Sequence, residues 1–231
     1  MQCCRGTDYP AAATQFGPKV AERDLQRYVR KGPDAATRLL LGSLLGGASI
    51  GDSLLDIGGG VGVVSFELLA AGLKRATLVE ASPSYLDSAR HEAERRGCGD
   101  RLHLLAGDFS RIAASVGQAD VVTMHRVICC YPAYEFLLRQ ALSRCRERFA
   151  FSYPRDRWYI RLWIAVENLF RRMMGNAFSA FVHPPASMQA IIREAGFHPV
   201  SQSGTAVWCV EMYARTSTAR AVDDEHDSRR T

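Results

Sequence analysis

The sequence predicts an α/β fold: a doubly wound, mostly parallel seven-stranded sheet with an antiparallel C-terminal hairpin, a helical preface before it and a helical cap inserted near its end. Three observations predict it. Short β-type runs alternate with helical stretches from Ser53 to Tyr153; an apolar run passes through an acid into glycines that open a helix, Leu54-Leu55-Asp56-Ile57-Gly58-Gly59-Gly60-Val61-Gly62; and 231 residues with 47% hydrophobic and 23% charged content suit one globular unit with a substantial core. Strict alternation calls for crossover connections, which make neighbouring strands parallel.

The elements follow in order. Residues 1–15 carry no periodicity and are expected to fray. From Phe16 to Leu45, apolar positions at Val20, Leu25, Tyr28 and Val29, then Leu39, Leu40, Leu44 and Leu45, predict two helices broken at Gly32-Pro33, within a preface spanning 16–50. Strands are predicted over Ser53–Ile57, Ala76–Glu80, Arg101–Leu105, Asp120–Met124 and Arg148–Tyr153, with helices over Val63–Ala71, Pro83–Arg96 and Tyr134–Arg146. Gly72 and Gly97 act as helix stops, and Ser82-Pro83 supplies a cap and a first-turn proline. A cap over 154–185 carries a helix from Trp158 to Met173; another runs from Ser187 to Ala195, and Pro199–Ser203 and Ala206–Ala214 form a hairpin around Gly204. The core thus lies in one domain over 16–215, and the polar 216–231 tail is expected to be disordered.

Composition narrows the function. No apolar stretch approaches the roughly 20 residues that span a bilayer, and the N-terminus lacks the pattern of a secretory signal, so a cytoplasmic location is expected. The seven cysteines lack the paired spacing of a structural zinc site and are read as reduced thiols; no compact acidic cluster demands a metal. The net charge of +5 comes from 26 Arg and three Lys against 24 acidic residues, dispersed rather than blocked, which argues against a nucleic-acid partner and permits an acidic small molecule.

The glycine run is the strongest chemical signal, because glycines let the backbone turn sharply and approach a ligand closely. A dinucleotide site requires G-x-G-x-x-G; counting from Gly58, Val63 stands where the third glycine belongs. The pattern here is D-x-G-x-G-x-G over Asp56, Gly58, Gly60 and Gly62. Glu80, 22 residues after Gly58 and at the end of the next strand, is placed to accept hydrogen bonds from two ribose hydroxyls, with Ala81 beside it. Gly107-Asp108-Phe109 follows the third strand.

These three elements, in this order, resemble the cofactor half of class I S-adenosylmethionine-dependent methyltransferases. The resemblance implies S-adenosylmethionine as cofactor, the glycine loop passing its amino-acid end, Asp56 facing its ammonium directly or through water, and Asp108 with Phe109 at the adenine. It also implies that the preface folds over the cofactor, where Arg30 would meet the carboxylate. Beyond the generic core, His125-Arg126-Val127-Ile128-Cys129-Cys130-Tyr131-Pro132 and Ser152-Tyr153-Pro154-Arg155-Asp156-Arg157-Trp158 resemble a bacterial group of stand-alone enzymes sometimes labelled magnesium-protoporphyrin O-methyltransferase-like.

Ligands of open α/β sheets sit beyond the carboxyl ends of the strands. That rule makes His125 a cofactor contact and, with His183, a candidate base; Arg126, Tyr131, Tyr153, Arg155, Arg157 and, on the cap, Trp163 become candidate acceptor contacts. An alcohol or phenol acceptor calls for a base, whereas a carboxylate calls for none and favours arginine. The place of the N-P-P-Y tetrad, used for methylating bases and glutamine, is taken by His125-Arg126-Val127-Ile128, so a small-molecule acceptor and O-methylation are the leading expectation. A nucleic-acid or protein methyltransferase and a non-catalytic cofactor-binding partner are the alternatives. The cap helix, with Ile160, Trp163, Ile164 and Phe170 interleaved with arginines, fits a lid over an apolar substrate and also a membrane-surface helix.

Overall fold

The computed structural model describes residues 15–46 and 50–215; the expected N-terminal fraying (apart from Gln15) and the expected disordered tail fall outside the described residues. The preface supplies two helices, α1 (Pro18–Lys31) and α2 (Ala35–Leu45). They break where predicted: Gly32 takes φ +69° and its amide closes α1 on the Tyr28 carbonyl, while the Asp34 carboxylate caps α2 by accepting from the Thr37 amide.

The sheet and its helices then follow as β1 (Ser53–Ile57), α3 (Val63–Ala70), β2 (Arg75–Glu80), α4 (Pro83–Arg95), β3 (Leu102–Ala106), α5 (Phe109–Ile112), β4 (Ala119–His125), α6 (Tyr134–Ser143), β5 (Cys145–Pro154), α7 (Trp158–Met173), α8 (Pro185–Glu194), β6 (Phe197–Gly204) and β7 (Trp208–Arg215). Seven strands lie in the order β3-β2-β1-β4-β5-β7-β6, the first five parallel and β7 antiparallel to both β5 and β6. The hairpin around Gly204 therefore places its second strand inside the sheet. Most boundaries fall within two residues of the sequence reading, α5 was not anticipated, and the two largest shifts adjoin each other: the helix expected to reach Arg146 ends at Ser143, and β5 begins at Cys145 rather than Arg148. Cys145 is buried and pairs with Ala119 across a bulge, so strand pairing captures residues that helical periodicity alone had assigned to α6.

Alternation along β1 supplies both faces of the sheet. Leu55 and Ile57 join a cluster with Leu137, Leu138, Met188 and Ile192 of α6 and α8, while Leu54 points into the opposite layer with Leu40, Leu44, Phe66 and Leu86 of α2, α3 and α4. Strand order reverses between β1 and β4, whose carboxyl ends, Ile57 and His125, flank the crevice such a reversal creates.

Candidate functional site

A cavity of about 350 Å³ opens at that crevice. Its floor is the loop after β1. Gly58 holds φ +63°, and a Cβ there would stand 2.5 Å from Val127 Cγ2; Gly60 holds φ +57°, and a Cβ there would meet nothing within 4 Å, so the backbone lies bare against the cavity. Gly62, the third glycine of the pattern, caps α3 at φ +88° beside the Phe66 ring and does not line the cavity.

Glu80 ends β2 with one carboxylate oxygen accepting from the Gly60 amide at 3.0 Å and the other from the Ser82 amide at 2.9 Å. Burial pushes its carboxyl up, against the backbone amides that hold it down. The glycine loop and the acid of the next strand, separated in sequence, are thus one hydrogen-bonded unit, and Ala81 continues the same wall. Asp56 is fully buried at the cavity's edge, its two oxygens accepting from Thr123 Oγ1 at 2.7 Å and Ser65 Oγ at 2.9 Å, and burial raises it too. Its visible role is to tie β1 to β4 and α3.

Gly107 and Phe109 line the far end of the cavity. Between them, Asp108 caps α5: its Oδ1 accepts from the Ser110 amide and hydroxyl and from the Tyr131 hydroxyl at 2.8 Å. Its buried Oδ2 accepts no hydrogen bond and lies 3.9 Å from Arg111 Nε, and Asp108 itself sits behind the lining, between the two residues that form it.

Beyond β4 the chain turns at Arg126, which takes φ +62° despite its side chain. The turn is held by the Arg126 amide donating to Ser152 Oγ and by the guanidinium, which pairs with Asp34 at 2.8 Å and lies over the Trp208 ring at 4.9 Å; its buried Nε has no partner. His125 is clamped next to it, Nδ1 2.9 Å from Ser152 Oγ and Nε2 3.1 Å from Thr37 Oγ1. Burial, with the Arg126 charge adding to it, pushes the imidazole down to about 3, so it is neutral and very weakly basic at physiological pH. This counts against the expectation that His125 removes a proton: both nitrogens are engaged in joining α2 to β5.

His183 lies outside the cavity lining. Its Nε2 donates to the Ile128 carbonyl at 3.1 Å, its ring stacks on Tyr134 with centroids 4.2 Å apart, and burial lowers its pKa. Of the expected acceptor contacts, Arg126 and Tyr131 line the cavity and the others do not. Tyr153 is buried with its hydroxyl donating to Glu211 at 2.7 Å, Arg155 donates to the Thr205 carbonyl, Arg157 is exposed, and Trp163 faces away at 55% exposure. Arg30 is exposed and its Nε reaches only the Gln26 carbonyl, whereas Arg27, one turn earlier, lines the cavity.

Tyr28, in the preface segment expected to fold over the cofactor, lines the cavity, and the structure adds residues that the sequence reading did not single out. Asp34 and Thr37 of the preface close one side with it; Phe16 closes another by packing on Tyr85 and Phe178 at ring separations of 5.7 and 5.4 Å. Asp34 had a local signal, an acid after Gly-Pro at a helix start, but its ion pair with Arg126 joins positions 92 residues apart. Among the described residues, no group of three His, Cys, Asp or Glu side chains is arranged to hold a metal.

Comparison with known proteins agrees with this geometry. Residues 54–148 match the family described as Methyltransferase domain. The fold is that of class I S-adenosylmethionine-dependent methyltransferases. It is similar to the magnesium protoporphyrin IX methyltransferase of Synechocystis PCC 6803 solved with bound S-adenosylhomocysteine, at 17% identity and TM-score 0.69 over 90% of this chain and 100% of that one. It is also similar to an O-methyltransferase family protein of Burkholderia thailandensis, at 16% identity and TM-score 0.67 over 89% of this chain and 63% of that one. In sequence, 75 residues are 35% identical to the ubiquinone/menaquinone biosynthesis C-methyltransferase of Roseobacter denitrificans, covering 32% of this chain and 30% of the relative's length.

Proposed function

We propose that the chain transfers a methyl group from S-adenosylmethionine to a small-molecule acceptor, with a carboxylate oxygen as the accepting atom. The observation that supports it above the others is the Gly60–Glu80 unit: a bare backbone turn locked to a buried carboxylate at the strand-order reversal, with Gly107 and Phe109 at the other end of the same cavity. S-adenosylmethionine, when bound, supplies an activated methyl on a sulfonium, so the protein's task is positioning. Glu80 accepts from ribose hydroxyls, Asp108 and Phe109 hold the adenine, and the loop Gly58–Gly60 takes the amino-acid end, near Arg27.

The state of the cavity's ionisable groups supports a carboxylate as the accepting group. Its carboxylates are engaged, Asp24 by the Tyr85 hydroxyl, Asp34 by Arg126 and Glu80 by backbone amides, and His125 is too weak a base at neutral pH. A carboxylate acceptor needs no proton removed, and the unpartnered Nε of Arg126 offers it a charged donor. The apolar walls of Phe16, Val127 and Phe178 suit an acceptor with an apolar body. The free cysteines among the described residues suit a reducing cytoplasm.

Calorimetric titration with S-adenosylmethionine and, separately, NADH tests the reading. Donor binding that Glu80→Ala weakens about 10- to 100-fold is expected, since hydrogen bonds to a charged group are worth about 1.5–3 kcal/mol. Binding of NADH instead, or donor binding indifferent to Glu80, overturns it.

A further inference from the structure

One helix presents its largest apolar side chains to solvent. On α7 the aromatics Trp158, Tyr159, Trp163 and Phe170 and the aliphatics Leu162, Val166, Leu169 and Met173 are between 49% and 77% exposed. At about 100° per residue they fall in one sector of about 140°, wider than the roughly 100° stripe with which a helix ordinarily seats on a core. No charged residue falls inside that sector.

The opposite face is the one that packs. Ile160 and Ile164 are buried, Asn168 exchanges two hydrogen bonds with the Ala180 backbone at 2.7 and 2.9 Å, and the Arg171 guanidinium lies over the Phe178 ring at 5.3 Å. The helix is therefore anchored to the segment that supplies Phe178 to the cavity wall, and the exposed sector cannot be relieved by rolling it inward without breaking those contacts.

The uncompensated charge around the sector has one sign. Arg161 and Arg172 edge it and Arg157 precedes the helix. The nearby acids are already paired, Asp156 with Arg161 and Glu167 with Arg171. Arg157 and Arg172 are exposed with no carboxylate partner among the described residues. Aromatic and aliphatic side chains over a wide face, with arginines at its border, are the chemistry of a helix lying in the headgroup region, where the apolar face enters the acyl boundary and arginine meets lipid phosphate. A helix-pair seam with a second copy uses a narrower stripe flanked by charges of both signs.

We propose that α7 docks this protein on an anionic lipid bilayer through the Trp158–Met173 face, bringing the Phe178 wall of the cavity beside the membrane. The inference goes beyond the transferase reading and does not depend on it.

Flotation of the full chain with phosphatidylcholine vesicles, with and without phosphatidylglycerol, tests it against the Leu162→Glu/Val166→Glu variant. Both substituted positions are more than half exposed, and an unchanged melting temperature and unchanged urea midpoint establish that the variant folds. The expected result is binding to the phosphatidylglycerol vesicles that falls with added salt and drops at least about tenfold in the variant. Absence of vesicle binding by the natural chain, or binding equal in the variant, overturns the proposal. So does a sedimentation result in which the natural chain is a dimer, the variant a monomer, and neither floats, which would assign the face to a second copy.

Discussion

The cofactor half, 54–131, and the α7 region treat their difficult side chains in opposite ways. In the first, carboxylates go inside and are held by hydrogen bonds: Asp56 by two hydroxyls, Glu80 by two backbone amides, and Asp108, through one of its oxygens, by an amide and two hydroxyls. In the second, apolar groups stay outside and are unanswered, with only Ile160 and Ile164 of α7 buried. A buried carboxylate persists only where a network is built around it, so the first region specifies its own geometry; the second leaves its geometry to be completed by whatever covers it.

The strongest way to break the comparison is to protonate the first region's clamp. His125 has a folded value of about 3 against about 6.5 when unfolded, so between these values the unfolded chain binds more protons and acid favours it. The stability His125 contributes is complete above about pH 6.5 and is lost as pH falls toward 3, on the order of 5 kcal/mol in all. Asp56 and Glu80, raised by burial, act with the opposite sign, taking up protons in the folded state as pH falls. They are common to both proteins in a comparison with His125→Gln and cancel in the difference. Urea denaturation from pH 7 to 4 should show the natural chain losing stability faster than the variant; parallel curves would mean the imidazole is not held neutral.

A second test separates two glycines that the sequence makes look alike. Gly58→Ala combines a positive φ with a methyl pressed into Val127, and about 3 kcal/mol of stability should be lost in urea. Gly60→Ala has a similar φ and open space around the new methyl, so about 1 kcal/mol is lost, while the methyl projects into the cavity and S-adenosylhomocysteine affinity falls by at least about tenfold. If the two variants lose stability equally, the cavity-facing assignment of Gly60 fails.

That pair also shows what was legible in the sequence. The spacing Asp56, Gly58, Gly60, Glu80 was readable because each residue sits at a strand end, where position along the chain fixes position in space. The mostly parallel sheet and the antiparallel hairpin were readable from alternation and its final interruption, whereas the order of the strands came only with the structure. The substrate side was not: Tyr153, Arg155 and His183 stand near the correct strand ends in sequence, but their side chains are taken by Glu211, the Thr205 carbonyl and the Ile128 carbonyl, partners from distant segments. The α7 pattern was ambiguous for a related reason. Ile160, Trp163, Ile164 and Phe170 read as one apolar face, yet the structure buries the two isoleucines and exposes the two aromatics, because a helix apolar around most of its circumference does not encode which side is inward.

The smallest expected effect sharpens the contrast from the other region. Leu162→Ala removes a side chain 57% exposed from the middle of the α7 sector, and alanine is the better helix former, so stability should change by less than about 0.5 kcal/mol in urea. The same truncation at Leu138, fully buried under the sheet, should cost about 2–5 kcal/mol. A large loss at Leu162 would mean that the isolated chain already covers this face, leaving none of it for a membrane. A negligible loss, with vesicle binding weakened by the same substitution, would place the energetic value of these side chains outside the fold, in contacts that form only when the protein meets its surface.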